Sequence, residues 1–326
     1  MPLSPEQITR IKTTLGTVVE NEPMANHTNF RIGGLARLYY VATSSEVLLE
    51  AVKLAVKEEI PWYVYGGGSN LLVSDKGFEG LMIQAANREV EVEGSKVSCG
   101  AGAISSMVAR KASEAGLVGF EWAVGVPGTV GGAIFGNAGC YGGEMKDAVM
   151  SVRAYHVPSG EERLYTNEQC RFDYRDSFFK HEPHVILSCS LVLKSGDREG
   201  SLQKLKEISE KRKEHQPLGD SSAGCMFKNF EYQEDKQVER LKQEIDVPQE
   251  MLDAKRIAAG WLIEKCGLRG YELGGVSISR KHGNFLINNG TGTADQVAQI
   301  VSICQMTVRD KFHVALQPEV QFVGFG

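Results

Sequence analysis

An α+β fold in two packed units is what the sequence predicts, on three observations. The chain has 326 residues, and single cores usually stop growing near about 250–300. Short β-branched and aromatic runs alternate with stretches of helical apolar spacing. Two glycine-rich stretches, 66–70 and 125–143, interrupt both patterns and mark loops whose backbone must be free of side chains.

The elements follow in order. Leu48, Ala51, Val52 and Ala55 recur at helical spacing, and the next stretch, IPWYVY, has the composition of a strand. GGGSN follows, then LLVSDKGFEGLMIQ, read as two short strands broken at Lys-Gly. EVEVEGSKVSCG reads as a hairpin, and Ile104, Met107 and Val108 open an amphipathic helix ending at Gly116. Residues 151–157 and 185–194 are strands, with Pro158-Ser159-Gly160 as the turn after the first, and they close the first unit near residue 195. SLQKLKEISEKRKEH, with Leu202, Leu205 and Ile208 on one side, is a connecting helix. In the second unit, GGVSIS and FLINN are strands. Val297, Ile300, Val301, Cys304 and Val308 lie on one helix face, opened by a Thr293/Gln296 capping box. Residues 230–256 are dense in charge and poor in large apolar residues, and read as a solvated helical excursion.

Composition excludes several classes. A net charge of −5 argues against a general nucleic-acid binder, while leaving room for a local basic pocket. The start, MPLSPEQITRIKTTLG, lacks the basic end and apolar core of a leader, and no segment reaches about 18 uninterrupted apolar residues, so a soluble cytoplasmic protein without membrane insertion is expected. The seven cysteines are scattered with no Cys-x-x-Cys pair, which fits reduced thiols better than a disulfide frame or a zinc site. His181-Glu-Pro-His184 has a metal-like spacing, but its proline breaks helical presentation, so no metal is expected.

Among motifs, Gly66, Gly67 and Gly68 followed by Ser69 and Asn70 expose successive backbone N–H groups, an arrangement suited to a pyrophosphate. This is not the dinucleotide fingerprint G-x-G-x-x-G, because a strand-like run rather than a helix follows. A second stretch, GVPGTVGGAIFGNAGCYGG, points with the first to a large phosphorylated cofactor. Cys225, in DSSAGCMFKN, is open to four readings from its neighbours alone: buried filler, metal ligand, nucleophile or proton donor.

Nine stretches carry a family resemblance: NFRIGG (29–34), YGGGSN (65–70), GVPGTVGGA (125–133), GNAGCYGGE (136–144), YRDSFFK (174–180), SAGCMFKN (222–229), AGWLIEKCGLRG (259–270), KHGNFLIN (281–288) and QPEVQF (317–322). In this order, from about residue 26 to the end, they strongly resemble the UDP-N-acetylenolpyruvoylglucosamine reductases, in their shorter subgroup. Arg175 and Cys225 are 50 positions apart, which resembles the members lacking an extra substrate-capping segment.

The resemblance implies an α+β protein: an FAD-binding unit of the vanillyl-alcohol-oxidase (PCMH) type in two subdomains, residues 1–198, then an α+β substrate-binding domain, residues 199–326, with a charged insertion at about 230–256. It implies non-covalent FAD, NADPH as reductant and UDP-N-acetylglucosamine enolpyruvate as substrate, in peptidoglycan precursor synthesis. Implied FAD contacts are Arg31, Ile32, Gly33 and Gly34, then Gly66, Gly67, Gly68, Ser69 and Asn70. Val126, Pro127, Gly128, Thr129, Gly132 and Ala133 follow, and then Asn137, Ala138 and Gly139. Tyr174, Lys228 and Asn229 are implied substrate contacts, and the insertion is a candidate to cover part of the site.

Arg175, Cys225 and Glu319 match the family's catalytic set. Arg175 offers a guanidinium fork to the substrate carboxylate, and Glu319 completes the polar site around it. Leu316, Pro318, Val320 and Phe322 alternate with Gln317, Glu319 and Gln321, so a strand there turns the carboxylate away from its apolar face. The resemblance makes Cys225 the proton donor that completes hydride addition. Family members commonly carry serine there. A thiol, ordinarily ionising near pH ~8.5, is protonated at neutral pH and is a stronger acid than a hydroxyl, so the substitution preserves activity while adding sensitivity to alkylation and oxidation. The competing readings are another FAD-dependent sugar or alcohol oxidoreductase of this fold, and a non-catalytic flavin- or nucleotide-sugar-binding module. No sequence feature sets the oligomeric state, and a monomer is the expectation.

Overall fold

The computed structural model describes residues 2–325, which divide into two compact units. The first runs to Glu22 and continues through Leu35–Gly68 and Phe78–Glu214; the second takes Pro23–Gly34, Ser69–Gly77 and the chain from His215 onward.

The first unit is built on two larger sheets, with two short two-stranded pairings besides. One has the strand order Val19–Pro23, Leu35–Ala42, Phe78–Ala85, Trp62–Tyr65, with Phe78–Ala85 parallel to both neighbours. Parallel pairing requires a crossover, supplied by the helix Ser45–Lys57, whose Ser44 side chain accepts from the Val47 N–H. That helix buries Leu48, Leu49, Ala51, Val52 and Ala55 with Leu38, Tyr40, Leu81 and Ile83 of the sheet, each large side chain contributing about 1.5–3 kcal/mol. The other sheet is antiparallel throughout, in the order Glu161–Thr166, Val149–His156, His184–Val192, Lys96–Gly100, Val90–Glu93. The helix Ser105–Glu114 covers it through Val108, Ala109 and Ala112. Met107, expected on the apolar face, is instead 63% exposed. The helix stops as anticipated, with Gly116 at φ 76°. The long helix Arg198–His215 buries Leu205 and Ile208, with Leu202 packed at the edge of the same core.

The second unit is built on a three-stranded antiparallel sheet, Glu272–Leu273, Val276–Ile278 and Leu286–Asn288. Beside it Leu71–Val73 pairs in parallel with Gln321–Val323. The helix Ala294–Phe312 buries Val297, Ile300, Val301, Cys304 and Val308, and the Thr293/Gln296 capping box forms at its start. Asp75 adds a second cap, its carboxylate accepting from the N–H groups of Ala294 at 2.9 Å and Asp295 at 3.0 Å, where the helix dipole favours negative charge.

Two expectations need correction here. Residues 230–256 are not wholly a solvated excursion: Leu241, on the short helix Glu239–Glu244, and Tyr232, Val238 and Val247, outside the helices, are buried in the unit's core, while the helix Gln249–Asp253 buries none of its residues. Isolated apolar residues among many charges are enough to dock a segment whose base is closed by pairing of Phe230–Glu231 with Arg256–Ile257. The strand foreseen around Glu319 begins only at Gln321. Leu316 and Val320 are buried, but Pro318, lacking an N–H to donate, is exposed and forms only an isolated bridge to Phe227.

Candidate active site

In the first unit the strand Trp62–Tyr65 delivers the chain into Gly66–Gly68. A Cβ on Gly66 would lie 2.0 Å from Thr129 Oγ1, and one on Gly67 would lie 2.9 Å from Gly128 Cα. The two glycine-rich loops therefore pack closely, Gly67 against the main chain of Gly128 and Gly66 against the side chain of Thr129, and glycine is a steric requirement at both positions. The second loop is pinned from beneath, Val130 N–H donating to Ala103 O and Gly131 N–H to Ala101 O, each at 2.8 Å. Thr129 caps the helix Val130–Phe135 by accepting from Gly132 N–H. Gly67, Pro127 and Gly132 remain exposed. A cradle of exposed, side-chain-free backbone fits the phosphates and ring of a flavin dinucleotide.

Arg175 lies in the same unit, at the tip of a tight turn in which Asp173 and Asp176 exchange backbone hydrogen bonds of 3.1 Å. Its backbone is left-handed, φ 52°, a conformation that costs a non-glycine residue energy and concentrates at functional sites. The guanidinium donates through Nη2 to Gly139 O at 2.8 Å and lies over the Tyr174 ring. Lys180 Nζ donates to Arg175 O at 2.6 Å. Asn137 is fully buried, also with positive φ, 38°. Its amide donates to Glu144 Oε2 at 2.6 Å and Asp173 O at 2.9 Å, and its oxygen accepts from Lys146 N–H at 3.0 Å. The Asn137 side chain thus ties the glycine-rich loop to the turn that presents Arg175.

The second unit holds Arg31–Gly34, Ser69, Asn70, Cys225, Lys228, Asn229 and Glu319. Asn288 Nδ2 donates to the carbonyls of Phe30 and Arg31, fixing the loop where Arg31 is left-handed at φ 52°. A Cβ on Gly34 would be 2.2 Å from Asp75 O, so the 23–34 and 69–77 loops pack against each other. Asn70 Nδ2 donates to Glu319 O at 3.1 Å, and Gln321 N–H donates to Asn70 O at 3.0 Å. Cys225 and Glu319 sit on adjacent stretches, joined where Glu319 N–H donates to Met226 O at 2.8 Å. Lys228 N–H donates to Gln317 O at 2.9 Å. Asn229 Oδ1 accepts from Ala259 N–H at 3.1 Å, at the start of the helix Ala259–Lys265. Cys225 is half-buried.

The remaining thiols differ. Cys99 and Cys189 are buried directly opposite each other, Sγ to Sγ 3.5 Å, and burial pushes Cys170 and Cys304 up to about 12. Burial likewise raises Cys140, to about 11, despite the guanidinium groups of Arg175 and Arg212. The spaced histidines serve separate partners, His181 Nε2 to Asp176 at 2.7 Å and His184 Nε2 to the Tyr165 hydroxyl at 2.6 Å.

Sequence reasoning missed three polar residues that organise the site: Asp75, Asn288 and Asn284. The last two bracket the apolar run Phe285–Ile287 of KHGNFLIN, and carboxamides at both ends of a run expected to be buried are the signal that identifies them.

Known proteins match both units. The model of the UDP-N-acetylenolpyruvoylglucosamine reductase C-terminal domain matches residues 216–323, and that of an FAD binding domain matches residues 36–163. The UDP-N-acetylenolpyruvoylglucosamine reductase of Caldicellulosiruptor bescii is 40% identical over 94% of this chain and 90% of its own. That of Bacillus subtilis is 35% identical over 95% of each. The crystal structure of UDP-N-acetylenolpyruvylglucosamine reductase from Thermus caldophilus superposes with a TM-score of 0.72 at 31% identity, over 94% of this chain and 98% of its own. No helix of the described residues is long and apolar enough to cross a membrane. Likeness that extends over nearly the whole length, in sequence and in backbone alike, takes in both the glycine cradle and the Cys225–Glu319 pairing, and the chain belongs to the UDP-N-acetylenolpyruvoylglucosamine reductase family.

Proposed function

We infer that this FAD-dependent reductase of UDP-N-acetylenolpyruvoylglucosamine, an enzyme of peptidoglycan precursor synthesis, draws its electrons from NADPH and completes turnover by proton transfer from Cys225. The chemistry FAD supplies when bound is two-electron carriage from NADPH to the terminal carbon of the enolpyruvyl group. FAD contacts are assigned to the backbone of Arg31–Gly34, Gly66–Asn70, Val126–Ala133 and Asn137–Gly139, with residues 1–198 as the cofactor domain and 199–326 as the substrate domain.

Arg175 binds the substrate carboxylate. Its planar fork stabilises the negative charge that grows there as hydride arrives, and the stacked Tyr174 ring keeps the fork oriented. Glu319 completes the polar surroundings of the developing enolate. The Cys225 sulfhydryl delivers its proton to the carbon beside the carboxylate, leaving a thiolate that solvent reprotonates. Lys228 and Asn229, three and four positions after Cys225, face the nucleotide-sugar portion. Seven cysteines, all free, suit the reducing cytoplasm.

The observation that carries this reading is the short, hydrogen-bonded pairing of the Cys225 and Glu319 segments, Glu319 N–H to Met226 O at 2.8 Å. Its test is anaerobic and splits the reaction. NADPH is expected to bleach the bound flavin, and UDP-N-acetylglucosamine enolpyruvate to restore the colour. Cys225→Ala should retain bleaching and lose most of the substrate-driven recovery, roughly 10²–10⁴-fold for an absent general acid. Equal loss in both halves would refute the proton-donor role.

A further inference from the structure

We propose that Asn284 is a positioning residue that fixes the register between Cys225 and Glu319; the inference rests on the reading of Cys225 as proton donor. Residues 225–228 run between two other segments, with a bend at Met226. On one side Glu319 N–H donates to Met226 O at 2.8 Å and Lys228 N–H to Gln317 O at 2.9 Å, the two bonds that frame the Phe227–Pro318 bridge. The peptide groups of Phe227 therefore point to the other side, where the chain turns at His282–Phe285, Phe285 N–H bonding His282 O at 3.0 Å. No strand backbone continues there to receive them.

The Asn284 side chain takes both. Phe227 N–H donates to its Oδ1 at 2.9 Å, and its Nδ2 donates to Phe227 O at 2.8 Å. The Asn284 carbonyl also accepts from Met226 N–H at 2.8 Å, and Cys225 bridges Phe285 on the next rung. Asn284 is itself held, its N–H donating to His282 Nδ1 at 3.2 Å. It is 3% exposed, and Phe227 is 1% exposed, so water cannot replace the amide. A backbone neighbour would permit a slip by two residues, because ladder bonds repeat along a strand. A single carboxamide offers one NH2 group and one carbonyl oxygen at one place, and matches one register. With Phe227 so held, the ladder bonds of Glu319 N–H to Met226 O and Lys228 N–H to Gln317 O set Cys225 relative to Glu319.

The experiment uses the FAD-loaded enzyme with Asn284→Asp, which keeps the acceptor and loses the donor, and Asn284→Ser. Substrate-driven flavin recovery should slow roughly 10- to 100-fold, as for a displacement of about 1 Å, while bleaching by NADPH stays within about twofold. The rate of iodoacetamide reaction at Cys225, read by mass spectrometry, should change in the same variants. In a Cys225→Ala background Asn284→Asp should add almost nothing to the recovery defect. Loss of both half-reactions together, or multiplying effects in the double variant, would reduce Asn284 to a general stability role and overturn the proposal. Should neither variant fold, hydrogen exchange in the unaltered protein decides: slow exchange at Phe227 N–H, comparable to Leu286–Asn288, supports it, and rapid exchange sinks it. A fully active Cys225→Ala enzyme would remove the donor reading and this inference with it, whereas an impaired Cys225→Ala beside an unimpaired Asn284→Asp would remove the inference alone.

Discussion

The glycine cradle of the first unit and the Cys225 segment of the second reach fixed geometry by opposite means. At Gly66 and Gly67 order comes from absence, since any Cβ would fall 2.0 Å from Thr129 Oγ1 or 2.9 Å from Gly128 Cα. At 225–228 it comes from added side-chain bonds, with the Asn284 amide closing both polar groups of Phe227. The first device packs bare backbone against its neighbour; the second holds one short segment through a single side chain. Substitutions should therefore fail steeply and without gradation in the cradle, and by chemical degree in the segment.

The most severe test of that contrast is Gly67→Val. The branched side chain meets backbone at Gly128, which cannot swing away, so the purified protein should be colourless and destabilised by about 1–3 kcal/mol from overpacking; absorbance near the flavin bands after FAD addition checks it, and normal flavin content would break the comparison. Next comes thiol chemistry. Iodoacetamide should inactivate the enzyme by modifying Cys225, while Cys99, Cys170, Cys189 and Cys304, all buried, stay unmodified in the folded protein. Cys225→Ser should remain active and resist the reagent, showing that the segment tolerates a graded chemical change. A smaller effect is expected for Asp75→Ala, which removes the carboxylate bonded to Ala294 and Asp295 N–H; loss of a cap costs about 0.5–2 kcal/mol. Denaturant melts should show it.

The smallest effect is a pH dependence. In the first unit burial holds His184 below its ordinary 6.5, reinforced by His156 and Arg163 and opposed by Glu182 and its carbonyl. In the second unit burial lowers His282, with Arg269 and His215 adding to the shift. Both prefer the neutral ring when folded. Their contribution to stability is complete above about 6.5 and declines as pH falls through the lowered values. Melting temperature should drop on going from pH 7 to 5, and His184→Gln should flatten part of that slope. A slope unchanged in the variant would assign the pH sensitivity elsewhere.

Much of the fold was legible because its helices declare themselves twice, by period and by cap. Val297 to Val308 with Thr293 and Gln296 was read by both signals, and Leu48 to Ala55 by period alone, its Ser44 cap emerging only in the structure. The edge strand Glu161–Thr166 was not, since EERLYT lies exposed at nearly every position and carries no buried alternation. The docking of 230–256 was hidden for a related reason: Tyr232, Val238, Leu241 and Val247 each stand alone among charges, so no window averages to an apolar face. At the site, the glycine loops could be read from composition, but their mutual contact could not, because it joins residues about sixty positions apart. The part played by Asn284 is invisible along the chain for the same reason, Phe227 lying 57 positions away.

The patchwork make-up of the second unit bears on how a ribosome can produce it. Residues 23–34 and 69–77 belong to a body whose remainder begins at His215, and Asp75 closes a helix 219 positions further on. These loops emerge from the exit tunnel long before their partners exist, and the β-pair of Leu71–Val73 waits for Gln321–Val323. At about 5–20 residues per second, translation leaves that strand without its mate for some tens of seconds. A stalled or prematurely terminated nascent chain would display it, making early abortive products natural clients for chaperones and proteases.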